Sequence, residues 1–209
     1  MNKKLKSAYK TFVLSISLVG MFYLFTASNG YQPRIAPFVG SQAEPFRESG
    51  VFVRAKAYTR NESKAYLDRD LVQKGLQPVQ ITIQNNTERT YLLSNRGVDL
   101  SAVSSNSVAT RLSLSALPRS IAFKIAAFFF WPFIIPATID SIFSFQSHLK
   151  MRKDFYAKSV KDHEEVLAPY SVVNRIIFVS SKEHASSFTL YLKEQKSQSF
   201  HPFPVVIGA

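Results

Sequence analysis

The sequence predicts a mainly β protein: an antiparallel β-sandwich interrupted by a hydrophobic helical hairpin and an amphipathic helix, behind an N-terminal transmembrane or signal helix. Three observations carry that expectation. Short segments of period-two hydrophobicity recur on both sides of a long apolar run. That run, residues 120–145, has the length of a membrane segment but carries prolines near its middle. The first 30 residues have a basic head followed by an apolar stretch.

Taken in order, residues 1–29 open with Lys3, Lys4, Lys6 and Lys10 and continue through the apolar stretch Phe12 to Phe25. This is the layout of a signal sequence, cleaved or retained as a signal anchor. The apolar part is shorter than the ~20 residues of a full span, and the A-x-A cleavage pattern is missing, so the anchor is preferred. Residues 30–50 carry three prolines and little periodicity, which predicts an extended linker.

Residues 51–118 are expected to form the first part of the sandwich. In "VFVRAKAY", Val51, Val53, Ala55 and Ala57 alternate with Arg54 and Lys56. "PVQITIQNNT" places Val79, Ile81 and Ile83 on one face and Gln80, Thr82 and Gln84 on the solvent face. "NNTER" supplies a turn. Three further short strands are expected at "TYLLS", "VDLSAVS" and "VATRLSLS". Residues 169–209 form the second part, with strands from Val172 to Val179, at "SFTLYLKEQ" and at "FPVVI". In the middle one, Phe188, Leu190 and Leu192 face inwards. About eight short strands with turns between them point to a sandwich of immunoglobulin type.

The residues Asn85, Asn86 and Thr87 after a strand, then Leu167 and Pro169 before one with Ile177 and Phe178 at its centre, resemble the Ig-like modules of extracytoplasmic bacterial membrane proteins. Tyr170 stands where those modules usually have glycine. The resemblance covers about half the chain. It implies an Ig-like fold and a place in the cell envelope, periplasmic or at the cell surface, and no activity.

Between the two halves, residues 119–147 hold the apolar run. Positions 121–142 carry only two charges, Lys124 and Asp140, and residues 120–145 include Trp131 and seven of the chain's 18 phenylalanines. The basic group Lys150, Arg152, Lys153, Lys158 and Lys161 follows. By the charge rule that pattern suits a second full span, and a buried soluble hairpin is a further alternative. A span would place the two groups of strands on opposite sides of the membrane. Pro132 and Pro136 instead break the run into halves too short to cross, and folding back there levels Lys124 with Asp140. The expectation is therefore a re-entrant or interfacial hairpin marked by Lys124, Trp131, Pro132, Pro136 and Asp140. Residues 148–168 are expected to form a basic amphipathic helix, with Phe145, Leu149, Tyr156, Val160 and Leu167 on one face.

Net charge is +12, but the basic residues cluster beside the two apolar segments rather than along one aromatic-interleaved element. Membrane lipid is thus the expected partner and nucleic acid is not. The absence of cysteine excludes disulfides and thiol chemistry. Asp162, His163, Glu164 and Glu165 are the densest group of possible ligands, yet consecutive helical residues diverge, which predicts a solvated helix end. His148, His184 and His201 have no ligand-spaced partners in sequence, and no phosphate loop or nucleophile elbow is present. Neither a cofactor nor a small-molecule substrate is indicated. The functional expectation is a membrane-anchored, non-enzymatic Ig-like envelope domain with an interaction or structural role, binding another envelope component or stabilising a complex. The alternative is a membrane-active protein whose 120–145 hairpin inserts into or remodels a bilayer.

Overall fold

Strand formation follows the alternation. In the computed structural model, which describes residues 9, 12, 15, 30–37, 39, 50–114 and 134–208, seven strands appear. They are β1 (Val51–Ala57), β2 (Leu76–Asn85), β3 (Tyr91–Leu93), β4 (Glu165–Leu167), β5 (Ser171–Ser180), β6 (Ser187–Glu194) and β7 (Phe200–Gly208). They form one sheet in the order β4-β3-β6-β7-β1-β2-β5. All pairings are antiparallel except β1 with β7, which is parallel at Ala55–Ile207 and Lys56–Gly208. The sheet curls almost into a barrel, because its two end strands, β4 and β5, meet through the Glu165–Arg175 ion pair. Strands from both sides of the apolar run pair intimately: β2 and β5 share a ten-residue register from Leu76–Ser180 to Asn85–Ser171.

Chain contacts divide into two compact units, residues 1–31 with 110–151 and residues 32–109 with 152–209. The second contains the whole sheet. Its core takes one parity of each long strand: Val79, Ile81 and Ile83 of β2, Ile177 and Val179 of β5, and Phe188, Leu190 and Leu192 of β6. The Asn85 turn is as expected, since its side-chain oxygen accepts from Thr87 N–H at 3.1 Å and its amide donates to Arg89 and Ala168 carbonyls. In the first unit Tyr31 is buried, its N–H donating to Ser147 Oγ at 2.9 Å.

Among the described residues three α-helices accompany the sheet: α1 (Arg60–Leu67), α2 (Ser105–Leu114) and α3 (Ile134–Lys158). The α1 helix begins with a capping box, Thr59 and Glu62 satisfying each other's backbone amides. The strand expected at "VATRLSLS" is instead α2. Ser104 accepts from Ser107 N–H at 3.2 Å, and Val108 and Leu112 share one face at helical spacing. At "VDLSAVS" the sequence expectation of a strand gives way to a 3₁₀ turn (Asn95–Gly97) and two isolated bridges, Val98–Leu190 and Ala102–Val179.

The expected amphipathic helix 148–168 is corrected in extent and in face. Helix α3 starts earlier and stops at Lys158, where Ser159 and Val160 are captured by the free edge of β5: Val160 N–H donates to Ile176 O at 3.2 Å. Leu167 is buried as part of β4, not as a helical residue. Phe145, Leu149 and Tyr156 lie on the exposed side of α3, whereas Met151 and Phe155 are buried.

The expected linker is also more than a linker. Ala36, Pro37 and Val39 lie against the outer face of β2 and β5, while Gln32 and Arg34 bond to Asp68 and Ala65 at α1. Gln80 Nε2 donates to Pro37 O at 2.5 Å and to Asn174 Oδ1 at 2.8 Å, and Val39 N–H donates to Thr82 Oγ1 at 3.0 Å. Gln80 and Thr82, expected to face solvent, are therefore buried with their hydrogen bonds satisfied.

Candidate functional site

Of the five residues marking the hairpin, Lys124, Trp131 and Pro132 lie outside the described residues, as do most of 119–147 and almost all of 1–29. Pro136 and Asp140 fall in α3. Among the described residues no helix is long and apolar enough to cross a membrane.

Two surfaces stand out instead. The first is on α3. Ile142, Phe145 and Leu149 are exposed at helical spacing, Phe145 by 62 %, and Lys150, Arg152 and Lys153 are exposed on the same helix. The second is the outer face of β7. Phe200, Pro202, Pro204 and Val206 all point outwards because they share one parity, and Phe200 and Val206 are 63 % and 78 % exposed. Beside them on β6 lie Lys193, Tyr191, Thr189 and Ser187, fixed by the register Lys193–Phe200 to Ser187–Val206. The row is apolar with a polar border.

The prolines also shape the edge. Ile207 N–H donates to Ser186 O at 2.8 Å, so the odd-numbered residues of β7 direct their amides towards β6. Positions 202 and 204 have the other parity, and being proline they offer no donor along the stretch where β1 is not paired with β7. An incoming strand finds no ladder there.

The acidic cluster does not converge. Glu165 holds Arg175 through two hydrogen bonds and has Lys161 at 3.9 Å. Burial alone would raise its carboxyl, but the Arg175 guanidinium and Lys161 outweigh it and hold the group below the usual carboxylate range. Glu164 pairs with Lys193 at 3.2 Å, and Asp162 accepts from Asn95 Nδ2. The segment is a loop into β4, not a helix end. Among the described residues no three ligating side chains stand close enough to hold a metal ion. Of the histidines, His148 shares a hydrogen with Ser113 at 2.5 Å and His201 contacts Glu194 at 3.3 Å; His184 is exposed.

A cavity of about 50 Å³ sits at the free edge of β5, lined among others by Ser105, Asn106, Ser159, Lys161 and Phe178. It has room for a water or two, far below the ~300 Å³ at which small-molecule sites begin. Sequence reasoning missed α1, the covered face of β2 and the apolar row of β7. The row was legible in "FHPFPVV", where every second residue from Phe200 to Val206 is apolar. No protein-family model, curated protein or solved structure matches the chain.

Proposed function

We propose that the chain is a membrane-anchored envelope protein whose Ig-like sandwich acts by binding another envelope protein rather than by catalysis. The strand order supports the Ig-like assignment. With β1, β2 and β5 as strands A, B and E, and β3, β6 and β7 as C, F and G, the order β4-β3-β6-β7-β1-β2-β5 fits a seven-stranded sandwich in which β4 extends the C side. The basic head before the first apolar stretch supports attachment to a membrane.

The observation that carries the binding role is the β7 row. Four alternate apolar residues standing out of a sheet span ~20 Å at 3.3 Å per residue. Their border of Ser187, Thr189, Tyr191 and Lys193 is polar and includes an aromatic, the make-up of a protein interface rather than of a lipid contact. The partner docks on the face, since the prolines deny it the edge.

The test is cross-linking in intact envelopes. A partner adduct of the full chain should vanish with Phe200→Asp plus Val206→Asp and survive Ile35→Asp, a still more exposed site elsewhere. Equal adducts from both variants would overturn the assignment. The membrane-active alternative draws its support from the exposed stripe on α3.

A further inference from the structure

The exposed arc of α3 has a lopsided chemistry. At about 100° per residue, Ile142, Phe145 and Leu149 fall within an arc of about 60°, and all three are exposed. Tyr156, 47 % exposed, belongs to the same arc of this continuous helix. Arg152 and Lys153 lie about 20° beyond its two margins, and Lys150 a little further round. The buried residues Met151 and Phe155 lie on the opposite side. Between positions 142 and 158 the only acid is Asp154, and it is bound to Lys158 at 2.6 Å. The exposed side of the helix is therefore an apolar stripe with a cationic margin on each side and no anion.

We propose that this face of α3 lies flat on a bilayer surface and selects anionic headgroups. The stripe enters the boundary between headgroups and acyl chains, while Lys150 and Lys153 meet lipid phosphates, joined by the N–H groups of Arg152 that remain after its Nε donates to Asn106 Oδ1 at 2.8 Å. Charge complementarity fixes the occupant: an apolar protein surface would satisfy the stripe but leave three cations desolvated, whereas an anionic interface satisfies both. From Ile142 to Tyr156 the face is ~21 Å long at 1.5 Å per residue, enough to reach several headgroups. The proposal deepens the membrane attachment of the preceding reading and rests on it.

The chain has no cysteine, so single cysteines can report position in the full-length protein. Phe145→Cys and, as a control on a turn of the sheet unit, Lys182→Cys are labelled with an environment-sensitive dye. The proteins are reconstituted into vesicles of phosphatidylcholine alone or mixed with phosphatidylglycerol, each with a lipid nitroxide near the headgroup. The dye at position 145 should be quenched, more strongly with phosphatidylglycerol, and the control dye should not. Lys150→Gln with Lys153→Gln should lower the ratio of docked to undocked helix by about fivefold per lysine, and high salt should mimic them. A dye at 145 that stays in water on protein that floats with the vesicles would overturn the proposal. So would equal quenching in both lipids, or a disulfide that joins two copies of the unlabelled Phe145→Cys protein and excludes the quencher. Protein that fails to float at all would instead remove the membrane-attachment reading itself.

Discussion

Gly97 sits where the 3₁₀ turn crosses β6, and a Cβ there would stand 2.3 Å from Tyr191 O and 3.3 Å from its carbonyl carbon. Both are backbone atoms, so no side chain can swing aside. Gly97→Ala must push the turn off the strand by about 1 Å, at an overpacking cost of about 1–3 kcal/mol. That shift also strains the Asp99 N–H to Thr189 O bond, 3.1 Å long, and the Val98–Leu190 bridge, adding about 1 kcal/mol. The total is about 2–4 kcal/mol, a large part of a domain's stability. Gly75→Ala is the matched control: its Cβ would meet nothing within 4 Å, but its φ of +74° costs an alanine about 1–2 kcal/mol. Urea unfolding followed by circular dichroism should place the Gly97→Ala midpoint below that of Gly75→Ala. The reverse order would show that the turn does not lie against β6 as described.

Tyr58 is buried with its hydroxyl unpartnered, and burial first, then Tyr66 and Glu62, push its phenol well above the ordinary range. Tyr58→Phe should raise stability by about 1 kcal/mol in the same unfolding assay. The carboxyl of Glu165 is held low in the folded state, so its contribution is complete above the ordinary carboxylate pKa of 4.5 and is lost as pH falls through the lower folded value. Glu165→Gln should therefore flatten the acid limb of a stability-versus-pH curve between 4.5 and that lower value, while leaving the protein less stable at neutral pH. Gln80→Asp should destabilise by about 2 kcal/mol or more, because a carboxylate would face the Pro37 and Asn174 acceptors that the amide now bridges; tolerance in a protease-resistance assay would free the strap from β2.

That last expectation reverses what alternation alone says. Val79, Ile81 and Ile83 were legible as core because only one parity of a strand can carry branched apolar residues inwards without leaving polar groups behind. Gln80 and Thr82 were not legible as buried, since an outer polar row looks the same under water as under an extended segment of chain. What covers it, at Pro37 and Val39, has no periodicity of its own because it is held by side-chain amides and hydroxyls rather than by a ladder. The capping box Thr59–Glu62 was visible in principle, but an eight-residue helix is easily overlooked between strands. Leu167 fits a helical stripe and a three-residue strand equally well, and only pairing with Tyr91 decides. Of the hairpin residues, Pro136 and Asp140 take their place in α3.

The pairing of β2 with β5 bears on the apolar run between them. Ten residues of register join a strand that ends at Asn85 to one that begins at Ser171, with the buried side chains of both in one core. Two strands hydrogen-bonded in one sheet occupy one compartment, because a bilayer leaves no lipid-exposed strand edge unsatisfied. A single complete crossing between Asn85 and Ser171 is thus incompatible with this sheet, whatever the basic residues after position 149 suggest by the charge rule. Asn61, exposed on α1, and Gln195, exposed after β6, belong to the same unit and must report the same side. With Asn61→Cys or Gln195→Cys as the only thiol, an impermeant reagent applied to intact cells should label both or neither. Labelling at one position and protection at the other, with both reactive after detergent, would mean that the chain crosses once between them and that β2 and β5 do not pair.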